Sequence, residues 1–512
     1  MRYSFCLILI IVFSYTNLSA DWIEQQKILA SDGFTDDFFG NSVAIDGDYA
    51  VVGAPVDDDN GSISGSVYIF KRINDVWTEQ VKLTPSDGEE GDIFGNSVAI
   101  DGDNIIVGAN WSDDNGFHSG SAYIFHRSGN TWTEVTKLTA SNGGDWDEYG
   151  YSVSISGDYA VVGAYKNEVN GIQTGSAYVY KKSGRNWFEQ TRLNSFHSEE
   201  GELFGFSVSI DGPYIIVGAY DYDYTGFNPS YIFHRIGDVW YEQAHLLPDD
   251  TGAYCFGKSV AISGDYAIIG AYADNINGTR SGSAYIFHRL GTTWFQQIKL
   301  TPLDGSLNDY FGLAVSISGN NAIIGAHNND DNGSNSGSAY LFNRVGSVWS
   351  ESMQKFTASD GEEGDLFGYS VCIDGENAII GAEWDDDNGV DSGSAYFFQN
   401  ESFDLRSDEN QFIVDNLQLE NSPNPFNPTT TISFNVPQTS SFATIEIYNL
   451  KGQQIKEFRH TELVEVCGTP NSYSVVWKGD DDNNKSVSSG IYLYNLVVDG
   501  KSLACKKCIL LK

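Results

Sequence analysis

A Phe-Gly or Tyr-Gly pair recurs seven times in this chain, ending at Gly40, Gly95, Gly150, Gly205, Gly257, Gly312 and Gly368. The spacings are 55, 55, 55, 52, 55 and 56 residues. A period of that size belongs to a propeller, a solenoid or an array, and it constrains the fold before any local pattern does. The unit beginning at Phe94 contains four strand-like runs, SVAI, NIIVGA, SAYIFHR and WTEVTKL. The second run is almost continuously apolar, as a strand covered on both faces should be. The fourth alternates apolar and polar, as an outer strand with one wet face should. Seven units of four strands predict an all-β, seven-bladed β-propeller. The 54 Gly residues and the 14% aromatic content agree with short strands and turns rather than helices.

The two ends of the array carry a further expectation. A Trp opens the fourth run of each unit, at Trp22, Trp77, Trp132, Trp187, Trp240, Trp294 and Trp349. Trp22 precedes the first Phe-Gly pair, whereas the seventh unit stops after SGSAYFFQ without a fourth run. Residues 21–30 should therefore complete the last blade and close the ring, removing the open edges of a linear stack. The expected division is residues 1–20 as an export signal, 21–400 as the propeller, 401–420 as a linker and 421–512 as a second, smaller domain.

FGNSVAIDGDYAVVGAP at residues 39–55 resembles the FG-GAP repeat, found in the integrin α-subunit propeller and in many bacterial surface proteins. The resemblance extends through all seven units and implies a binding propeller. The same repeat is also attached to enzymes, so it does not decide the chemistry.

The address and the charge narrow the partners. Arg2, the apolar run from Phe5 to Phe13 and the polar stretch ending at Ala20 have the plan of a secretory signal peptide. No later segment is long and apolar enough to span a bilayer as a helix. The formal net charge of −40 repels phosphate backbones and anionic headgroups, which excludes nucleic acid. Once the signal is removed, Cys255, Cys372, Cys467, Cys505 and Cys508 remain, an odd and irregular set that is no disulfide framework. Cys505-Lys-Lys-Cys508 resembles a zinc half-site, but no second CxxC accompanies it.

Strand order places the loops between the second and third strands on one face with the connections between blades. The first of these loops contains Asp57, Asp58, Asp59 and Asn60, and the second Asp113, Asp114 and Asn115. Blade six has Asp330, Asp331 and Asn332, and blade seven Asp385, Asp386, Asp387 and Asn388. One acidic face follows, and clustered oxygens on a Gly turn are candidate calcium ligands. Integrin-type sites, however, use a DxDxDG loop between the first two strands, where this chain has only a short turn such as Asp46-Gly47-Asp48. The alternative is a solvated turn whose Asp and Asn bind the local backbone.

No Ser-His-Asp order, HExxH or phosphate-cradling loop appears, and His126, His234 and His288 share one repeat column at a strand end. A specific site should break the symmetry of the repeat. Candidate ligand-binding residues are therefore Trp111, Trp146 and Trp384, which lie outside the Trp column, and Tyr220, Asp221, Tyr222 and Asp223 in the divergent blade four.

After residue 400 the chain changes character. Runs such as TTISFNV, ATIEIYNL and GIYLYNLVV predict a small immunoglobulin-like sandwich. Pro423-Asn424-Pro425-Phe426, Gly490 to Tyr494 and the Leu-Leu-Lys end resemble the C-terminal sorting domain of type IX secretion cargo. That resemblance implies passage through the type IX machinery to the outside or the outer surface of a Gram-negative bacterium. The expected function is non-enzymatic binding or adhesion to an extracellular protein or glycan. The alternatives are an extracellular hydrolase or lyase built on propeller loops, and a structural surface-layer component.

Overall fold

Each repeat folds as a four-stranded antiparallel meander. In the first, Ser42–Asp46 turns into Tyr49–Ala54, which pairs with Ser66–Ile73, itself paired with Val76–Leu83. Tyr49–Ala54 is buried along its whole length and Val76–Leu83 keeps one wet face, as their hydrophobic patterns predict. The computed structural model describes residues 21–195, 201–220 and 229–401 of this unit. Beyond it the structure describes 419–511, apart from 436–442, 450–453, 460–462, 466–471, 483–484 and 499–500. The described residues contain no helix, and so none long and apolar enough to cross a membrane. The proposed export signal lies outside them.

The first strands of neighbouring blades touch one another around the ring, Ser42–Asp46 meeting Ser370–Asp374 of the seventh blade. They are thus innermost, around the axis. Asp21–Ile28 pairs antiparallel with Ser394–Glu401, placing Trp22 opposite Asn400 and Ile28 opposite Ala395. The N-terminal strand therefore closes the last blade.

The Phe-Gly signature has a steric cause. Phe39 is fully buried and meets Tyr68 edge-on at 5.3 Å. Gly40 takes φ 94°, and a Cβ there would lie 2.2 Å from the Ser394 carbonyl oxygen, so no side chain fits. Apolar cores form between blades: Ile379, Ala395 and Phe397 of blade seven pack with Val43, Ala50 and Val52 of blade one. The recurrent Trp joins neighbours in the same way. Trp77 stacks on Phe397 of the preceding blade at 4.0 Å and 3°.

The chain divides into two compact units between Ser402 and Phe403. The second has two four-stranded sheets. One contains Leu419–Ser422, Thr430–Asn435, Ser472–Trp477 and the short Val464–Glu465; the other contains Gln454–Phe458, Ala443–Asn449, Gly490–Val498 and Lys501–Leu510. Phe426 and Trp477 are core residues with ring centroids 5.3 Å apart, and the Leu511 N–H donates to the Phe426 carbonyl at 2.9 Å. The Pro-Asn-Pro-Phe motif and the C-terminal strand thus meet. Cys508 is a buried free thiol in that strand, while Cys467 lies outside the described residues.

Candidate functional site

The acidic loops and the connections between blades do share one end of the ring, but their carboxylates surround lysines. Lys82, near the end of the outer strand of blade one, reaches Asp57 at 2.8 Å, Asp59 at 2.6 Å and Asp32 at 3.0 Å. Lys27 does the same with Asp385, Asp387 and Asp360 at 2.8, 2.5 and 3.0 Å. Lys137 pairs with Asp114 and Asp87, Lys299 with Asp274 and Asp250, and Lys355 with Asp331 and Asp304. Burial alone would lower the Lys82 pKa, but its hydrogen bonds to Asp57, Asp59 and Asp32 outweigh that and hold it above the usual range.

The remaining loop oxygens serve the turn. Asp58 accepts from the Ile63 N–H at 2.7 Å, Asp113 from His118 at 2.6 Å, Asp330 from Asn335 at 2.8 Å and Asp386 from Asp391 at 2.8 Å. The N–H groups of Asn60, Asn115, Asn332 and Asn388 donate to a Ser four residues on. These oxygens thus serve an ammonium and a closed turn, whereas calcium takes six to eight oxygens. Among the described residues no group of three or more His, Cys, Asp or Glu side chains is arranged to hold a metal. Blade three, which lacks the Asp-rich sequence, has instead a small hairpin pairing Glu168–Val169 with Ile172–Gln173.

Two of the expected ligand residues come together. Trp111 stacks on His118 at 4.9 Å and 10°, His118 on Phe117 at 4.0 Å and 19°, and Trp146 meets Phe117 and His118 edge-on at 4.8 and 4.7 Å. Backbone bonds lock the two loops, the Trp146 N–H donating to the Phe117 carbonyl at 2.7 Å. Trp111, Phe117 and Trp146 remain 40%, 49% and 49% exposed. Three exposed rings thus face water between blades two and three, with the half-buried His118 stacked among them. The sequence reading missed Phe117 and His118, although they are the aromatic pair that this loop carries where blade one has Ser62 and Ile63 and blade six Ser334 and Asn335. Trp384 occupies the Trp111 position in blade seven, apart from this group, and is 45% exposed. Tyr220 corrects the expectation of an exposed contact: it is 5% exposed, its hydroxyl 3.1 Å from that of Tyr272, because it packs in an aromatic cluster with Tyr165 and Phe206. Asp221, Tyr222 and Asp223 lie outside the described residues. His126 bonds Asn104, and His234 and His288 stack on Tyr214 and Tyr266 at 4.5 and 4.4 Å, as strand-end residues do.

A second place breaks the repeat, around the axis. The residue after the Phe-Gly pair lies at the start of the innermost strand, just before Ser42–Asp46 in blade one. It is Asn41 and Asn96 in blades one and two, Tyr151 and Phe206 in three and four, Lys258 in five, Leu313 in six and Tyr369 in seven. The residue after Gly-Ala, at the end of the second strand, runs from Asn110 through Tyr165, Tyr220 and Tyr272 to His327 and Glu383. These positions touch in sequence around the ring. Asn41 donates to Glu383 at 2.7 Å, the His327 ring lies 5.6 Å from Tyr369 and 5.5 Å from Tyr310, and Tyr151 lies 4.7 Å from Phe206. Tyr165 donates to Glu148 at 2.8 Å. Burial pushes Glu383 up to about 7. The signal was in the sequence, because these two columns diverge while the Gly and Ser beside them repeat.

An all-β ring of seven self-similar four-stranded blades, joined in the same chain to a small two-sheet unit, is a seven-bladed β-propeller with a second domain. Seven copies of the FG-GAP repeat match residues 22–70, 77–125, 132–180, 187–233, 240–287, 294–342 and 349–398, together more than half of the chain. The chain belongs to the FG-GAP repeat family. Residues 422–511 match the secretion system C-terminal sorting domain, which implies export from the cell through the type IX secretion machinery. No curated protein is significantly similar in sequence. Among solved structures, PorZ, a surface component of the type IX secretion system of Porphyromonas gingivalis, aligns at 11% identity and a TM-score of 0.34, covering 91% of this chain. The alignment spans 64% of that protein's length. Sqt1 of Saccharomyces cerevisiae aligns at 9% identity and a TM-score of 0.39, over 74% of this chain and 99% of its own.

Proposed function

We propose that this protein is a non-enzymatic binding protein, released from the cell or displayed on its outer surface. Its propeller recognises an extracellular glycan through the Trp111, Phe117, His118 and Trp146 platform. The observation that carries the reading is the exposure of Trp111, Phe117 and Trp146 around the half-buried His118, on two loops fixed by backbone hydrogen bonds. Exposed aromatic faces pack against the C–H faces of sugars, and Asp113 and Asp145 beside them accept hydroxyl hydrogen bonds. The seven-fold repetition supports binding over catalysis, since no nucleophile and base are paired on the platform. A glycan array probed with the intact protein tests this. Trp111→Ala and Trp146→Ala should each weaken capture at least tenfold with an unchanged melting temperature. Capture indifferent to both substitutions, or turnover of a bound glycan, would overturn the reading.

A further inference from the structure

The two loops of the aromatic platform carry more negative charge than the fold neutralises. Residues 111–118 and 141–148 contain Asp113, Asp114, Asp145, Asp147 and Glu148 and neither Lys nor Arg. Three of these acids have structural partners. Asp114 pairs with Lys137, Glu148 pairs with Lys166, and the buried Asp147 accepts from Asn167 at 2.7 Å and from the Gly144 N–H at 2.8 Å. Asp113 and Asp145 are exposed and form no salt bridge among the described residues.

Both carboxylates are fixed against the platform. Asp113 Oδ1 accepts the His118 N–H at 2.6 Å and Asp145 Oδ1 accepts the Phe117 N–H at 2.9 Å, so the two anions sit on consecutive amides of the ring-bearing pair. Asp145 also lies against Gly116, where a Cβ would come within 2.4 Å of its Oδ1. The second oxygen of each carboxylate has no hydrogen-bond donor among the described residues. Blade one has the carboxylates without the rings. Asp58 occupies the Asp113 position and Glu90 that of Asp145, with Ser62 and Ile63 where blade two has Phe117 and His118. Exposed aromatic rings take the C–H face of a sugar or a cation, and carboxylates without a partner add attraction for positive charge. A sugar that bears a protonated amine satisfies both.

We propose that the glycan held by this platform is cationic, built of hexosamines with free amines. Its ammonium groups pair with Asp113 and Asp145 while its pyranose rings pack on Trp111 and Trp146. The inference rests on the glycan reading of the platform and adds the substrate class. Pairing in contact with water contributes modestly for each amine and weakens with salt. The net charge of −40 draws such a ligand in from a distance without choosing where it binds.

Calorimetric titration of the full chain tests this with a fully deacetylated chitosan tetrasaccharide, its N-acetylated counterpart and cellotetraose, at about pH 5.5 where the amines are protonated. The deacetylated sugar should bind about tenfold more tightly than either neutral one at low salt, and the preference should shrink as sodium chloride is added. Asp113→Asn with Asp145→Asn keeps an acceptor for each backbone N–H. That variant should lose the preference while cellotetraose binding and the melting temperature stay unchanged. Trp146→Ala should weaken all three sugars. Asp58→Asn with Glu90→Gln removes the same charge from blade one and should leave the preference intact. A preference lost equally in the blade-one variant would show attraction to net charge alone and overturn the proposal. So would failure of the deacetylated sugar to bind, an unaltered Asp113 and Asp145 variant, or tighter binding of tetralysine than of the amino sugar. Equal, Trp146-dependent binding of all three sugars would overturn it and leave the platform reading standing, whereas a glycan array on which the intact protein captures nothing would remove that reading as well.

Discussion

Lys82 sits among Asp32, Asp57 and Asp59, gathering two loops that are separated along the chain. Asp57 is buried and also accepts from Ser66 and Tyr68, at 3.0 Å each, so removing the ammonium leaves a buried carboxylate without its ion-pair partner. Lys82→Met should therefore destabilise the propeller by about 2 kcal/mol. That is less than the roughly 3–5 kcal/mol of a fully buried broken pair, because Asp32 and Asp59 stay exposed and screened. Urea unfolding measures it. The same variant frees a cluster of carboxylate oxygens. Millimolar calcium should raise its melting temperature beyond ionic-strength-matched sodium chloride, whereas the parent should respond equally to both. A calcium-specific shift in the parent would mean that the ion displaces the lysine. The Asp and Asn of these loops were legible as turn residues from the sequence, but the lysine was not. It lies on an alternating outer strand, where its spacing reads as a wet face, and only the meander brings it back over the loop.

Closure depends on one element. Asp21–Ile28 is the outer strand of the seventh blade, and Trp22 packs with Phe356 and Phe398 in the core between blades six and seven. Its backbone N–H donates to Gln354 of the sixth blade at 2.7 Å. Removing residues 21–30 exposes the Ser394–Glu401 edge and empties part of two inter-blade cores, so the truncated protein should melt at least ~5 °C lower and less cooperatively. Differential scanning calorimetry decides this. An unchanged transition would show that the ring holds without its closing strand. This element, the seven meanders and the sandwich were all readable in advance, because strand periodicity and repeat spacing are properties of the chain itself. The axial columns were harder to read. Each residue there looks ordinary in its own unit, and Lys258 or His327 becomes notable only when seven units are aligned and their ends are known to converge on one axis.

The whole ring carries its negative charge unevenly, and this sets its response to pH. Asp37, Asp92 and Asp365 occupy the same place in three inter-blade connections, each accepting a backbone N–H, from Phe34, Glu89 and Glu362 at 2.6, 2.8 and 2.7 Å. Burial outweighs those bonds and pushes each up to about 6, and Asp147 and Asp309 shift in the same direction for the same reason. The folded state therefore holds protons that the unfolded chain releases near pH 4. Their contribution is fully present below that value and is lost as pH rises through 6, so lowering the pH from 8 to 5 should stabilise the propeller. Reducing the net charge of −40 acts in the same sense. Asp32, Asp114, Asp304 and Asp360 set the lower limit. Burial would raise them too, but hydrogen bonds from Lys82, Lys137, Lys355 and Lys27 hold them below the usual range, so their contribution is lost only as pH falls below about 4. Stability should peak between about pH 4 and 5, with a melting temperature a few degrees above that at pH 8. Asp92→Asn should flatten the rise between pH 5 and 8 without moving the acid limb, whereas Lys137→Met should remove part of the acid limb and leave the rise. A melting temperature that climbs steadily from pH 5 to 8 would show that these connection carboxylates are ionised and paired in the folded ring.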